Sequence, residues 1–294
     1  MRYLCMDVGG TSIKYGIGYK TGKLSCLGKT SFGTTLDDFL DTVKELYERI
    51  GPTDGVAACF PGEVHSEEGV IRGISAVEQL HNHPIRSLIS DLCGCPVTML
   101  NDANAAALGE LWQGVGKQYK NIAFVIVGTG VGGAVIENGR LYPGSTCNKA
   151  EIGNFLMGGT EEGRYLTWSD FTLEHQAQKY SAKTGNKVNG QQLYQLSEEG
   201  QKEAAFFVEE FLHYMAVGCV SVAFAYDPQI IDVGGGISQN PDIIRRINET
   251  YENLVKGQRM GYLKPKIVAC QQKNHANLLG ALYYFLTGGE QDEI

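Results

Sequence analysis

The residues most able to do chemistry lie in three glycine clusters and around one carboxylate. The clusters are "DVGGTSIKYGIG" at 7–18, "VGTGVGGAVIENG" at 127–139 and "DVGGGIS" at 232–238, each following a short apolar run. Successive backbone N–H groups in such a turn form a concavity for an anion, and glycine lets phosphate approach closely. In the first cluster Asp7 precedes Gly9, Gly10 and Thr11, and Lys14 follows them. That set suits phosphate oxygens, with Asp7 holding Mg²⁺ through water. The second cluster repeats the pattern at Gly128, Thr129, Gly130, Gly132 and Gly133, so two hairpins could clamp one polyphosphate. The third, Gly234, Gly235 and Gly236, bares backbone against which a flat adenine could lie. Taken singly, each is also an ordinary hairpin or strand-to-helix turn. The first fits neither a P-loop, since no Gly-Lys-Ser/Thr follows, nor a dinucleotide fingerprint, which opens a helix rather than a hairpin.

The carboxylate is Asp102 in "LNDANAAALGE". An apolar strand ends at Asn101 and an alanine-rich helix begins, which is where ligand-facing groups commonly sit in α/β proteins. Asn101 is explained as an N-cap and Asp102 as a first-turn acid favoured by the helix dipole. The same dipole would keep Asp102 ionised and able to accept the proton of an alcohol attacking the γ-phosphate of ATP. Phosphoryl transfer asks mainly for positioning and charge neutralisation, so a weak base suffices.

These groups need strands and helices to hold them. The first two clusters have one plan: apolar strand, Gly/Thr turn, alternating strand, then a glycine turn at "TGKL" or "NGRL". Between them, "LDDFLDTVKELYERI" has helical apolar spacing, and "GVAACFPG" and "PVTMLN" read as strands. Residues 140–172 read as irregular, 173–226 as helical, "QIIDVGGG" as a strand and 275–286 as a final helix. Alternating strands and helices imply α/β lobes with mixed sheets. With 294 residues, two lobes are expected, because cores rarely grow beyond roughly 250 residues before splitting. The boundary is placed in "WQGVGKQYKN", giving an N-terminal lobe 1–116, onto which the C-terminal segment 275–294 packs back, and a larger lobe 117–274.

A net charge of -8 opposes non-specific attraction to nucleic acid or anionic membrane and favours a small-molecule partner. The eight cysteines form no Cys-x-x-Cys pair and read as reduced, mostly buried thiols. No signal peptide is apparent at the N-terminus, and 204–226, the longest apolar stretch, is broken by Glu209, Glu210 and His213. A cytoplasmic protein with a core helix there, and no membrane span, is expected.

In order along the chain, "DVGGTSIK", "NDANAAALGE", "VGTGVGGAV", "AEIG" and "IDVGGGIS" resemble the motifs of ROK sugar kinases and repressors, over nearly the whole of 4–285. The resemblance implies a two-lobed actin/hexokinase-like ATPase fold, an α/β architecture of duplicated ribonuclease-H-like domains around a central cleft. It implies that 7–14 and 128–133 are the phosphate motifs, that Asp102 is the catalytic base and that Asn101 meets sugar hydroxyls. A homodimer is expected from the resemblance alone.

The departures carry information too. Many members read Glu-x-Gly-His where this chain has Glu151 and Asn154, then a cysteine-rich loop that binds structural zinc and ends in Cys-Leu-Glu. Residues 155–180 contain no cysteine, so no structural zinc is expected. Thr172 stands for the last cysteine and Glu174 for a second sugar-binding glutamate, although Glu174 is equally read as a solvated residue at a helix start. Tyr165, Trp168 and Phe171 could hold the loop by packing instead. The expected sugar set is Asn101, Asp102, Glu151, Asn154 and Glu174.

A ROK repressor would add an N-terminal winged helix, for which six residues before Asp7 leave no room. An actin-like ATPase has no need of "NDAN" and "AEIG". The expectation is an ATP-dependent kinase acting on the 6-hydroxyl of a hexose or hexoside, glucose or a β-glucoside first. An N-acylhexosamine (N-acetylmannosamine or N-acetylglucosamine) is the alternative, and a non-catalytic sugar sensor comes behind both.

Overall fold

A computed structural model describes residues 1–73, 75–142, 144, 150–161, 163–263 and 265–288. Contacts divide the chain into two compact units, one of residues 1–120, 136–149 and 274–294, the other of 121–135 and 150–273.

The first unit begins with an antiparallel meander, β1 (Arg2–Val8), β2 (Ser12–Tyr19) and β3 (Leu24–Ser31). Helix α1 (Leu36–Ile50) follows, started by a Thr35/Asp38 capping box and buried through Phe39, Val43 and Leu46, the spacing of one helix face. Then come β4 (Val56–Phe60), the small hairpin β5 (Glu63–His65) and β6 (Val70–Arg72), α2 (Ile85–Cys93), β7 (Val97–Asn101) and α3 (Asp102–Gln113). The sheet order is β3-β2-β1-β4-β7, with β4 and β7 parallel to β1. The five residues of β4 are all buried, as a strand covered on both faces requires.

The second sheet repeats this order. Strands β8 (Ile122–Val127), β9 (Val131–Glu137) and β10 (Arg140–Leu141) come first, and the Asn138-Gly139 turn between the last two has positive φ at both residues, the pairing a tight hairpin requires. After the hairpin β11 (Leu156–Glu161) and β12 (Arg164–Thr167) lie three helices, α4 (Leu173–Thr184), α5 (Gly190–Glu198) and α6 (Lys202–Tyr226). Strand β13 (Ile230–Gly235), α7 (Pro241–Gly257), β14 (Lys266–Ala269) and α8 (Ala276–Leu286) complete the chain. The order is β10-β9-β8-β13-β14, with β8 and β14 parallel to β13.

Helix α6 is long and apolar enough to span a membrane by composition. Phe207, Phe211, Met215, Cys219 and Val222 nevertheless place one face of it in the second unit's core. The irregular reading of 140–172 is corrected by β10 and by the β11–β12 hairpin, whose register shifts at Gly158. Bulges and glycines there erase the alternation by which a strand is recognised. Of the seven cysteines described, none is in a disulfide and five are buried, while Cys147 lies outside the described residues. So do Asn148 and Lys149, and 289–294 of the C-terminal segment.

Small residues bring α3 and α8 together. A Cβ at Gly109 would stand 2.2 Å from Ala276 O, and one at Gly280 only 1.6 Å from Ala105 O. The alanine and glycine content of "ANAAALGE" therefore serves a close helix crossing, which fixes α8 relative to β1, α3 and β4 in the first unit.

Candidate active site

In the first unit, antiparallel pairing sets Asp7 opposite Lys14, and their side chains meet at 3.3 Å. The other Asp7 oxygen accepts from Asn277 Nδ2 at 3.1 Å and lies 3.6 Å from the Cys59 thiol. Asp7 is 9% exposed, so these partners matter: a buried carboxylate is costly unless it is paired and hydrogen-bonded. Burial pushes the Cys59 thiol well above its ordinary range, and the negative charges of Asp7 and Asp102 raise it further. Cys59 therefore stays a neutral donor. The turn itself closes through Gly9 N–H donating to Ser12 O at 2.8 Å. A Cβ at Gly10 would crowd Ala76 O at 3.1 Å, whereas one at Gly9 meets only Ser12 O, at 3.6 Å.

At the end of β7, Asn101 caps α3 by accepting from Asn104 N, while its Nδ2 donates to Gly62 O at 2.9 Å. This ties the Pro61-Gly62 turn to the helix start. Asp102 is the first residue of α3 and half-buried, and its Oδ1 accepts from Ala103 N at 2.8 Å. His81 is held by Ser75 at 2.7 Å and His83 is exposed.

In the second unit, Gly128, Thr129 and Gly130 are exposed and Gly128 N–H donates to Gly130 O at 2.9 Å. A Cβ at Gly128 would meet nothing within 4 Å, and its φ is not positive. The fold itself does not demand glycine there. It does at Gly133, where a Cβ would lie 2.6 Å from Ile152 and 2.8 Å from Ala150 O, and at Gly153, 1.9 Å from Val131 O. Those two contacts seat the Glu151 and Asn154 segment directly on the turn. Glu151 and Asn154 are exposed, and Ala150 before them has φ +68°, a left-handed conformation costing roughly 1–2 kcal/mol for a residue with a Cβ.

Glu174, in the first turn of α4, accepts through Oε2 from Gly190 N at the start of α5, 2.9 Å away. Gly234 packs on Ile126 and Cys270; Gly235 has φ +83° and a Cβ there would strike Val127 O at 2.0 Å; Gly236 has open space. Only the last of the three resembles Gly128 in being unconstrained by the chain.

Two contributors, Asn277 and Ser169, are absent from the sequence reading, and the bond made by a third, Thr172, was not foreseen. Asn277 lies 270 residues from Asp7, so no local motif could reveal it. Ser169 Oγ accepts from Val131 N at 3.0 Å, and Thr172 Oγ1 donates to Thr129 O at 2.9 Å. A threonine before "LEHQ" does read as a helix N-cap, and Thr172 accepts from His175 N accordingly.

Two sheets of equal strand order, each with a glycine turn after its first strand, define the two-lobed actin/hexokinase-like class. The chain belongs to the ROK family, whose model matches residues 3–287. It is similar to a beta-glucoside kinase of Listeria monocytogenes, 27% identical over 97% of this chain and 98% of that protein. It is also similar to an N-acetyl-D-glucosamine kinase of Salmonella paratyphi B, 27% identical over 97% of this chain and 99% of that one. A solved structure of a ROK family protein from Streptococcus pneumoniae in complex with sucrose superposes with a TM-score of 0.92, at 31% identity, covering 99% of this chain and 100% of that one.

Proposed function

We propose that this ROK protein transfers the γ-phosphate of ATP to the 6-hydroxyl of a hexose or hexoside, glucose or a β-glucoside, with Asp102 as general base. The chain is an ATP-dependent carbohydrate kinase. The observation that carries the assignment of the base is Asp102 at the β7–α3 junction, with the helix N-terminus beside it. A carboxylate so placed can take the hydroxyl proton as the oxygen attacks phosphorus.

In this reading the Gly9-Gly10-Thr11 turn and the 128–133 turn receive phosphate oxygens, Lys14 adds positive charge, and 234–236 faces the adenine. Mg²⁺ demands near-octahedral oxygen ligands and keeps several waters. Asp7, with one oxygen near Lys14 and the other near Asn277, fits an ion held through water. When bound, the metal neutralises charge on the β- and γ-phosphates.

The structural zinc site of the family's usual loop does not fit the donors found there. Asn154 and Thr172 offer an amide and a hydroxyl where thiolates and imidazole would be needed. Metal analysis of purified protein should give well under one zinc per chain, and stoichiometric zinc would overturn this assignment. We further propose that the two compact units are the two kinase lobes, that the protein is cytoplasmic, and that it is a homodimer acting without nucleic acid or membrane.

Asn101, Asp102, Glu151, Asn154 and Glu174 are the proposed sugar readers. Hydrogen-bonding sites discriminate strongly, because a missing hydroxyl leaves polar groups unpaired. The second reading, an N-acylhexosamine, is favoured by one observation: the N-acetyl-D-glucosamine kinase is as similar to this chain, at 27%, as the beta-glucoside kinase. The test is ATP-dependent phosphorylation of glucose, cellobiose, N-acetylmannosamine and N-acetylglucosamine in parallel. Highest kcat/KM on glucose or cellobiose supports the first reading; highest on an acylated amino sugar replaces it with the second.

A further inference from the structure

Thr129 and Val131, on either side of Gly130, are held by two hydroxyls from one segment. Ser169 Oγ accepts from Val131 N at 3.0 Å and Thr172 Oγ1 donates to Thr129 O at 2.9 Å. The Thr129–Gly130 peptide is trans, so its C=O and N–H point in opposite directions. Pulling the Thr129 carbonyl toward Thr172 therefore turns the Gly130 N–H to the opposite side. Because Ser169 engages the Val131 N–H, the turn presents Gly130 N–H rather than its neighbour to an incoming anion.

The segment that supplies these hydroxyls is firmly seated. Trp168 is fully buried against Gly218, where an added Cβ would fall 2.0 Å from the indole, and Phe171 stacks on Tyr214. Asp170 accepts from Arg164 at 2.8 and 3.0 Å and from Thr167 N at 2.7 Å. Thr172 is itself 0% exposed. Its single proton goes to a carbonyl, which only accepts, so at the 2.9 Å contact with His175 Nδ1 the hydroxyl must be the acceptor. His175 thus carries a proton on Nδ1, and the direction of the chain is fixed from His175 to Thr172 to Thr129.

We propose that Ser169, Thr172 and His175 are positioning residues for nucleotide phosphate, setting the Gly130 N–H toward a β- or γ-phosphate oxygen. This rests on reading 128–133 as a phosphate turn. The experiment compares KM for ATP, KM for sugar, kcat and Tm in wild type, Thr172→Val, Thr172→Ser, Ser169→Ala and Gly128→Ala.

Thr172→Val should raise KM for ATP about fivefold to tenfold, the scale of one lost hydrogen bond, with sugar KM within about twofold. Thr172→Ser, which keeps the hydroxyl, should stay within about twofold on both. Ser169→Ala should resemble Thr172→Val, and carries the test should the valine variant fail to fold. Two-bond ¹H–¹⁵N spectra of the wild type should place the His175 proton on Nδ1. If Gly128→Ala weakens ATP while Thr172→Val and Ser169→Ala leave its KM unchanged, the brace is refuted and the turn stands. If none of the three changes KM for ATP, the phosphate reading of the turn falls as well.

Discussion

The two glycine turns have nearly the same sequence plan and different supports. The first follows a charged residue: Asp7, just ahead of it, is clasped by Lys14, Asn277 and the Cys59 thiol, and the turn closes through Gly9 N–H to Ser12 O. The second has no charged side chain bonded to its 128–131 backbone among the described contacts; neutral hydroxyls from Ser169 and Thr172 hold it instead. Glycine also does different work along each. Gly10 is crowded by Ala76, and Gly133 by Ala150 and Ile152, whereas Gly128 borders open space. A shared motif therefore identifies a turn without saying what fixes it or which glycines the ligand needs.

The contrast can be broken by substitution. The largest effect is expected at the charged turn, where Asp7→Asn should lower kcat/KM for ATP roughly 100-fold, about 2.7 kcal/mol of transition-state stabilisation, measured by coupled assay at saturating sugar. Next, Gly128→Ala should raise KM for ATP about tenfold while leaving Tm within a degree or two. Gly235→Ala should lower Tm by several degrees by calorimetry, because its positive φ and the Val127 carbonyl at 2.0 Å make it a folding position whatever it does for the nucleotide. Asn277→Ala removes one of the three Asp7 partners and should cost about threefold to tenfold in kcat/KM.

The smallest effect concerns the seat of the second turn. Hydrogen bonds from Arg164, with further ones from Thr167, hold the Asp170 carboxyl well below the usual carboxylate range. A depressed folded-state pKa contributes stability that is present above the unfolded value near pH 4 and is lost as pH falls toward the folded one. Arg164 is 59% exposed, so screening keeps the contribution small. Asp170→Asn should lower Tm by a few degrees at pH 7 and flatten the fall in Tm between about pH 5 and pH 2.

Much of the fold was legible because its signals are local. Helix α1 is delimited by a capping box and one apolar stripe, β13 by an apolar run ending in glycines, and both hairpin turns by Gly or Asn-Gly. The β11–β12 hairpin was not, since its bulges hide the two-residue period. In the candidate site, Asp7 and Asp102 were legible by type and by position beside strand ends, and Lys14 as a cation following the first glycine turn. Asn277 was not, because only the crossing of α8 over α3 brings it to Asp7. Thr172 was legible as a departure from a cysteine, but its proton's destination, Thr129 O, depends on the tertiary seat of Trp168.

The most direct test of the account is steady-state sugar phosphorylation by Asp102→Asn protein whose nucleotide affinity has been measured by calorimetry. The substitution keeps the size of the side chain and removes the base. The account predicts nucleotide binding within about threefold of wild type and kcat lower by roughly 100-fold to 10,000-fold, the range general-base catalysis supplies. Turnover within a few-fold of wild type would contradict it.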